Sequence, residues 1–171
     1  MLVRRELAGD EASISAVTAA AFARPAEGVP VEAPLVDWLR ASTAWIPELS
    51  LVAQDTDGGV VGHVLCTRGT IAAAPALGLG PLSVRPDRQR CGVGKALMHA
   101  VLGAADALGE PLVVLLGSTS YYPRFGFRLA SEYGITPQRP EWAEHFQVRV
   151  LTAYNPAVRG EFAYAEPFDR M

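Results

Sequence analysis

The stretch Leu82-Ser83-Val84-Arg85-Pro86-Asp87-Arg88-Gln89-Arg90-Cys91-Gly92-Val93-Gly94-Lys95 constrains this chain more than any other. An apolar, strand-like run breaks into a charged turn and then into Gly-x-Gly. From there Val93, Ala96, Leu97, Ala100, Val101, Ala104, Ala105 and Leu108 follow the i, i+3, i+4, i+7 spacing of an amphipathic helix that ends before Gly109. The two glycines are therefore expected at a helix N-terminus. The first N–H groups there lack intrahelical acceptors, the macrodipole is positive, and missing side chains let an anion approach the main chain. Arg88, Arg90 and Lys95 add positive charge, so the loop reads as a cradle for a pyrophosphate.

Two familiar phosphate loops do not fit. A dinucleotide fingerprint needs a third glycine where Leu97 stands. A Walker-A loop needs a glycine at Gln89 and Ser or Thr at Ala96. The run Gln89-Arg90-Cys91-Gly92-Val93-Gly94 instead resembles the Gln/Arg-x-x-Gly-x-Gly/Ala signature of the GNAT N-acetyltransferase superfamily. Downstream, Pro111-Leu112-Val113-Val114-Leu115-Leu116 suits a buried, parallel-type strand. It is followed by Tyr121-Tyr122-Pro123-Arg124-Phe125-Gly126-Phe127, with Tyr122 four residues before Gly126 as in that superfamily. The order strand, Gly-x-Gly helix, strand, Tyr-x-x-x-Gly-Phe carries the resemblance, and its wording is similar to a bacterial subgroup of acetyltransferases. It covers residues 1–130 best. Many superfamily members have Asn after the fifth strand, whereas this chain has Gly117-Ser118.

The resemblance implies a GNAT-like α/β fold over residues 1–171, one domain with a mixed, mostly antiparallel twisted sheet flanked by helices. It implies an acetyl-CoA-dependent N-acetyltransferase acting on a primary amine of a small molecule or protein by direct attack on the thioester. A non-catalytic acyl-CoA-binding module is the alternative. Pantetheine would lie between splayed fourth and fifth strands, with Leu82, Ser83 and Val84 as backbone partners and an N–H near Val84 polarising the thioester carbonyl. Gln89, Arg90, Cys91, Gly92, Val93, Gly94 and Lys95 would form the pyrophosphate loop, Gln89 capping the turn. Tyr122 is the expected general acid to the departing thiolate, and Tyr121, ranked second, would instead face the acceptor. The base is open: His63, Glu27, Glu32, Asp37 or water.

A chain of 171 residues, half of them hydrophobic, can bury a sizeable core. Its 15 basic and 18 acidic residues leave a net charge of −3, with no basic block for nucleic acid and no cationic amphipathic face for a membrane. Residues 69–84 are uncharged but broken by Pro75, Gly78, Gly80 and Pro81, so they are not expected to span a bilayer. Without an apolar signal region the cytoplasm is the expected location. Cys66 and Cys91 have no companion at ligand spacing, so neither metal nor disulfide is expected. A homodimer is compatible with these features.

Along the chain, a strand over Leu2–Glu6 leads to a helix capped by Asp10 with Ile14, Val17 and Ala21 inward. Residues 24–34, with three prolines, read as loop, and a helix with Leu35, Val36 and Leu39 follows. Leu49–Gln54 and Val60–Thr67 flank an Asp-Gly-Gly turn as a hairpin. Leu77–Val84 is the next strand. Gln147–Leu151 and Glu161–Ala165 are expected to close the sheet as an antiparallel pair.

Overall fold

A computed structural model describes residues 1–24 and 28–171. In chain order the elements are β1 (Leu2–Arg5), α1 (Glu11–Phe22), α2 (Glu32–Arg40), β2 (Ser50–Gln54), β3 (Val60–Ile71), β4 (Ala74–Val84), α3 (Val93–Ala107), β5 (Leu112–Leu116), β6 (Arg128–Leu129), β7 (Ile135–Thr136), β8 (Phe146–Val150) and β9 (Gly160–Ala163). The described strands form a nine-stranded sheet whose path runs β1-β2-β3-β4-β5-β8-β6, with β9 joining β3 and β7. Only β4–β5 and β7–β9 are parallel. The fold is the mixed, mostly antiparallel α/β arrangement expected.

Helix α3 lays Val93, Leu97, Met98, Val101 and Ala105 on one face of the sheet, against Val64, Leu77, Leu79, Val113 and Leu115. Helices α1 and α2 cover the other face, where Ile14, Leu35 and Leu39 meet Val52 and Leu65. Each fully buried side chain of this size contributes about 1.5–3 kcal/mol. The apolar run of β5 is buried on both faces from Leu112 to Leu115, with Val113 and Leu115 in the core under α3 and Leu112 and Val114 in a second core with Phe146 and Phe162, while Leu116 is exposed.

Four local expectations are corrected. Asp10 does not cap α1: its carboxylate takes Arg4 at 2.7 and 3.0 Å and the Leu7 amide at 2.8 Å, and a guanidinium is a stronger partner than a second amide. Helix α2 begins at Glu32, inside the expected loop, because Pro34 falls in the first turn where no backbone donor is needed. Strands β3 and β4 run on to Ile71 and back from Ala74 around Ala72-Ala73, at φ 45° and 74°. That tight turn is invisible in a sequence without Asn-Gly. Finally, β8 and β9 do not pair with each other: β8 lies between β5 and β6, and β9 between β3 and β7.

Candidate active site

The parallel pairing of β4 with β5 lasts only through Leu77/Val113 and Gly78/Val114. Past that point the strands part, and a cleft of about 510 Å³ opens between Leu79–Leu82 on one side and Leu116–Ser118 on the other. A second cavity of about 280 Å³ continues it toward the start of α3. The two share Phe22, Leu82 and Tyr121.

Register decides which backbone groups face this cleft. The Arg85 amide donates to the Val61 carbonyl at 2.9 Å, so the hydrogen-bonded pairs of this antiparallel ladder are Arg85/Val61 and Ser83/His63. Leu82 and Val84 alternate with them and turn their N–H and C=O groups away from β3, toward the gap. The Val84 carbonyl accepts from the Gln89 side-chain amide at 3.2 Å, tying the loop to the end of β4. Ser83 is corrected: its main chain pairs with β3 and its hydroxyl donates to Thr18 Oγ1 at 3.1 Å beneath α1, so it offers the cleft nothing.

The loop leads into α3 with Arg90 at φ 60° and Gly92 at φ 86°. A side chain at 92 would meet open space, so this glycine is required by conformation. Gly94 is set close to its neighbour, since a Cβ there would stand 3.0 Å from the Tyr121 hydroxyl, which would have to give by a few tenths of an ångström. Among the described residues, the amides from Arg90 to Lys95 have no backbone acceptor. Arg88 is engaged by Asp55 and Asp87, which leaves Arg90 and Lys95 as the cations of the loop without a carboxylate partner among the described residues. Gln89, Arg90 and Gly94 line the second cavity. The Val93 side chain is in the core, and Cys91 and Lys95 are exposed.

Tyr122 opens a one-turn 3₁₀ segment, Tyr122–Phe125, and lines the first cavity beside Gly117. Its ring stacks edge-on against Tyr121 at 5.1 Å and Phe127 at 5.8 Å. A Cβ at Gly117 would collide with that ring, standing 2.9 Å from its Cδ2, which accounts for glycine at this position. Burial, with Tyr121 adjacent, pushes the Tyr122 phenol up to about 12. It therefore carries its proton at neutral pH. Burial raises Tyr121 as well, against the Arg124 guanidinium 4.7 Å above its ring.

The candidates for a base separate. His63 is fully buried on the α1 side, with Nε2 2.9 Å from Ser50 Oγ, and lines neither cavity. It is corrected to a structural residue. Asp37 is tied to Arg40 at 2.5 Å and also faces away. Glu27 lies outside the described residues. Glu32 lines the first cavity. Sequence reasoning missed the rest of that wall: Phe22 at the end of α1, and Arg139, Trp142, Tyr164 and Phe168 from the C-terminal third. Nothing in their spacing marks them, because they converge only when that third folds across the sheet. Among the described residues, no group of three or more His, Cys, Asp or Glu could hold a metal, and no helix is long and apolar enough to cross a membrane.

Comparison with known proteins agrees with this geometry. A family model described as an acetyltransferase (GNAT) domain matches residues 47–129. The sequence is 32% identical to the Uncharacterized N-acetyltransferase YhbS of Escherichia coli, the match covering 99% of each chain. The crystal structure of that protein in complex with CoA superposes with a TM-score of 0.90 over 99% of this chain and 92% of the other. A GNAT family acetyltransferase from Brucella melitensis, solved in complex with acetyl-CoA, is 36% identical, with a TM-score of 0.81 over 98% and 97% of the two chains.

Proposed function

This chain belongs to the GNAT acetyltransferase family, and from that premise we propose that it moves the acetyl group of acetyl-CoA to a primary amine by direct attack on the thioester. The carrying observation is the strand-sized gap beside β4, with outward Leu82 and Val84 backbone groups at one end and unpaired amides of the α3 loop at the other. Pantetheine would occupy the gap as an added strand, and the pyrophosphate would take the loop amides together with Arg90. An amide N–H on β4 would donate to the developing oxyanion.

The amine nitrogen forms the C–N bond as the C–S bond breaks. Its extra proton leaves to the Glu32 carboxylate or to water, and the Tyr122 phenol gives its proton to the departing thiolate, to be replenished from solvent. Relatives solved with CoA and acetyl-CoA support the choice of cosubstrate. Thiol release from acetyl-CoA across a panel of amines and peptides tests the reading. Amine-dependent release that falls sharply in Tyr122→Phe is expected; binding of acetyl-CoA without transfer to any amine would leave an acyl-CoA-binding module instead.

A further inference from the structure

The far wall of the 510 Å³ cavity has a composition that selects among amines. Most of it is apolar and aromatic, built from Phe22, Leu35, Trp142, Tyr164 and Phe168. Among the described residues two ionic side chains line it, Glu32 from the first turn of α2 and Arg139 at the head of the 3₁₀ segment Pro140–His145. They have opposite sign, and neither has an ion-pair partner among the described residues. The Arg139 guanidinium stacks over the Trp142 ring at 4.9 Å, which restricts its orientation while leaving its N–H fork free.

We infer that the acceptor is a zwitterionic small molecule of amino-acid type, its ammonium at Glu32, its carboxylate at Arg139 and an aromatic or bulky apolar body against Trp142, Tyr164 and Phe168. The inference rests on the acetyl-transfer reading for where the amine is delivered. The chemistry discriminates in three ways. A simple arylalkylamine satisfies Glu32 and the aromatic wall but leaves Arg139 without an anion. A polyamine brings two cations to a wall whose described side chains supply one carboxylate and one guanidinium. A peptide N-terminus carries no α-carboxylate on the residue that bears its amine, so it offers Arg139 no such partner. A fork-shaped guanidinium facing an apolar pocket is the group that binds a small carboxylate in two-point fashion.

The test compares phenylalanine, phenethylamine and phenylalanine amide. Each is titrated calorimetrically into protein saturated with CoA, and each is used as acceptor with acetyl-CoA. Phenylalanine should bind, and be acetylated with a kcat/KM, about tenfold better than either analogue, the value of one charge-assisted contact at a partly solvated site. Arg139→Ala should erase that preference by raising the phenylalanine KM far more than the phenethylamine KM, and Arg139→Lys should restore part of it. Glu32→Gln should weaken all three. Equal treatment of the three ligands, or a preference that survives Arg139→Ala, overturns the inference. Binding of phenylalanine with the expected Arg139 dependence but no thiol release from any amine would sustain the recognition and sink acetyl transfer. Turnover of other amines without phenylalanine binding would do the reverse.

Discussion

Tyr122 shows how one side chain's role depends on its walls. Its phenol is held protonated first by burial and then by the adjacent Tyr121, and pushed up to about 12 it is a weak but dependable donor to a thiolate. Tyr122→Phe keeps the ring stacked on Tyr121 and Phe127, so the protein should fold normally and bind acetyl-CoA as before while kcat drops by about 10²-fold or more. The rate should rise through the alkaline range as the amine loses its proton, and turn down only as the pH approaches the Tyr122 value, a limb that Tyr122→Phe removes. Stopped assays across that range check both. Gly117→Ala should lower kcat too, because the added methyl collides with the Tyr122 ring. Of the acidic candidates, Glu32→Gln should raise the acceptor KM, and Asp37→Asn, turned toward Arg40, should not.

At the scale of elements, β1, β2, β3 and α2 are joined by a buried polar chain. His63 Nε2–H donates to Ser50 Oγ, Ser50 donates to Glu6 Oε2, and Arg40 Nε donates to Glu6 Oε1 at 2.7 Å. His63 Nδ1 is left without a partner, as suits the bare nitrogen of a neutral ring. Burial alone would raise the Glu6 carboxyl, but the His63 N–H 3.7 Å away and the hydrogen bonds from Ser50 and Arg40 prevail and bring it down to about 2. Burial lowers His63. Both shifts work the same way. As pH falls below the unfolded histidine value, about 6.5, the unfolded chain takes a proton that buried His63 resists. Stability held by Glu6, about 3 kcal/mol, is complete above 4.5 and lost between there and about 2. Denaturant titrations at stepped pH should show a two-stage acid decline. Glu6→Gln should lower stability at pH 7, leaving the half-buried Arg40 with only the exposed Asp37 as a charged partner, and should flatten the lower stage.

For the whole molecule, the sheet is continuous except where β4 and β5 part, so a ligand lying there completes it. Saturating acetyl-CoA should stabilise the fold by about 2.7 kcal/mol at a hundredfold excess over Kd, a Tm rise of roughly 5–10 °C, while NAD and ATP do little. Gly92→Val forces φ 86° on a β-branched residue outside the core, and should abolish the acetyl-CoA shift with a far smaller effect on the free protein. Three features were legible from local chemistry: an apolar period of α3 that requires its glycine start, an apolar run that requires a buried β5, and a Tyr-x-x-x-Gly-Phe turn. Each follows from chemistry within about twenty residues of chain. Tertiary structure alone decided the rest. The alternation of the β3–β4 ladder turned Leu82 and Val84 outward and Ser83 inward, pairing with β1 and β2 claimed His63 for a buried chain, and the crossing of the C-terminal third carried Arg139 and Trp142 to Glu32. Those outcomes depend on which strand lies beside which, and side chains more than a hundred residues apart meet only after the sheet has set their register.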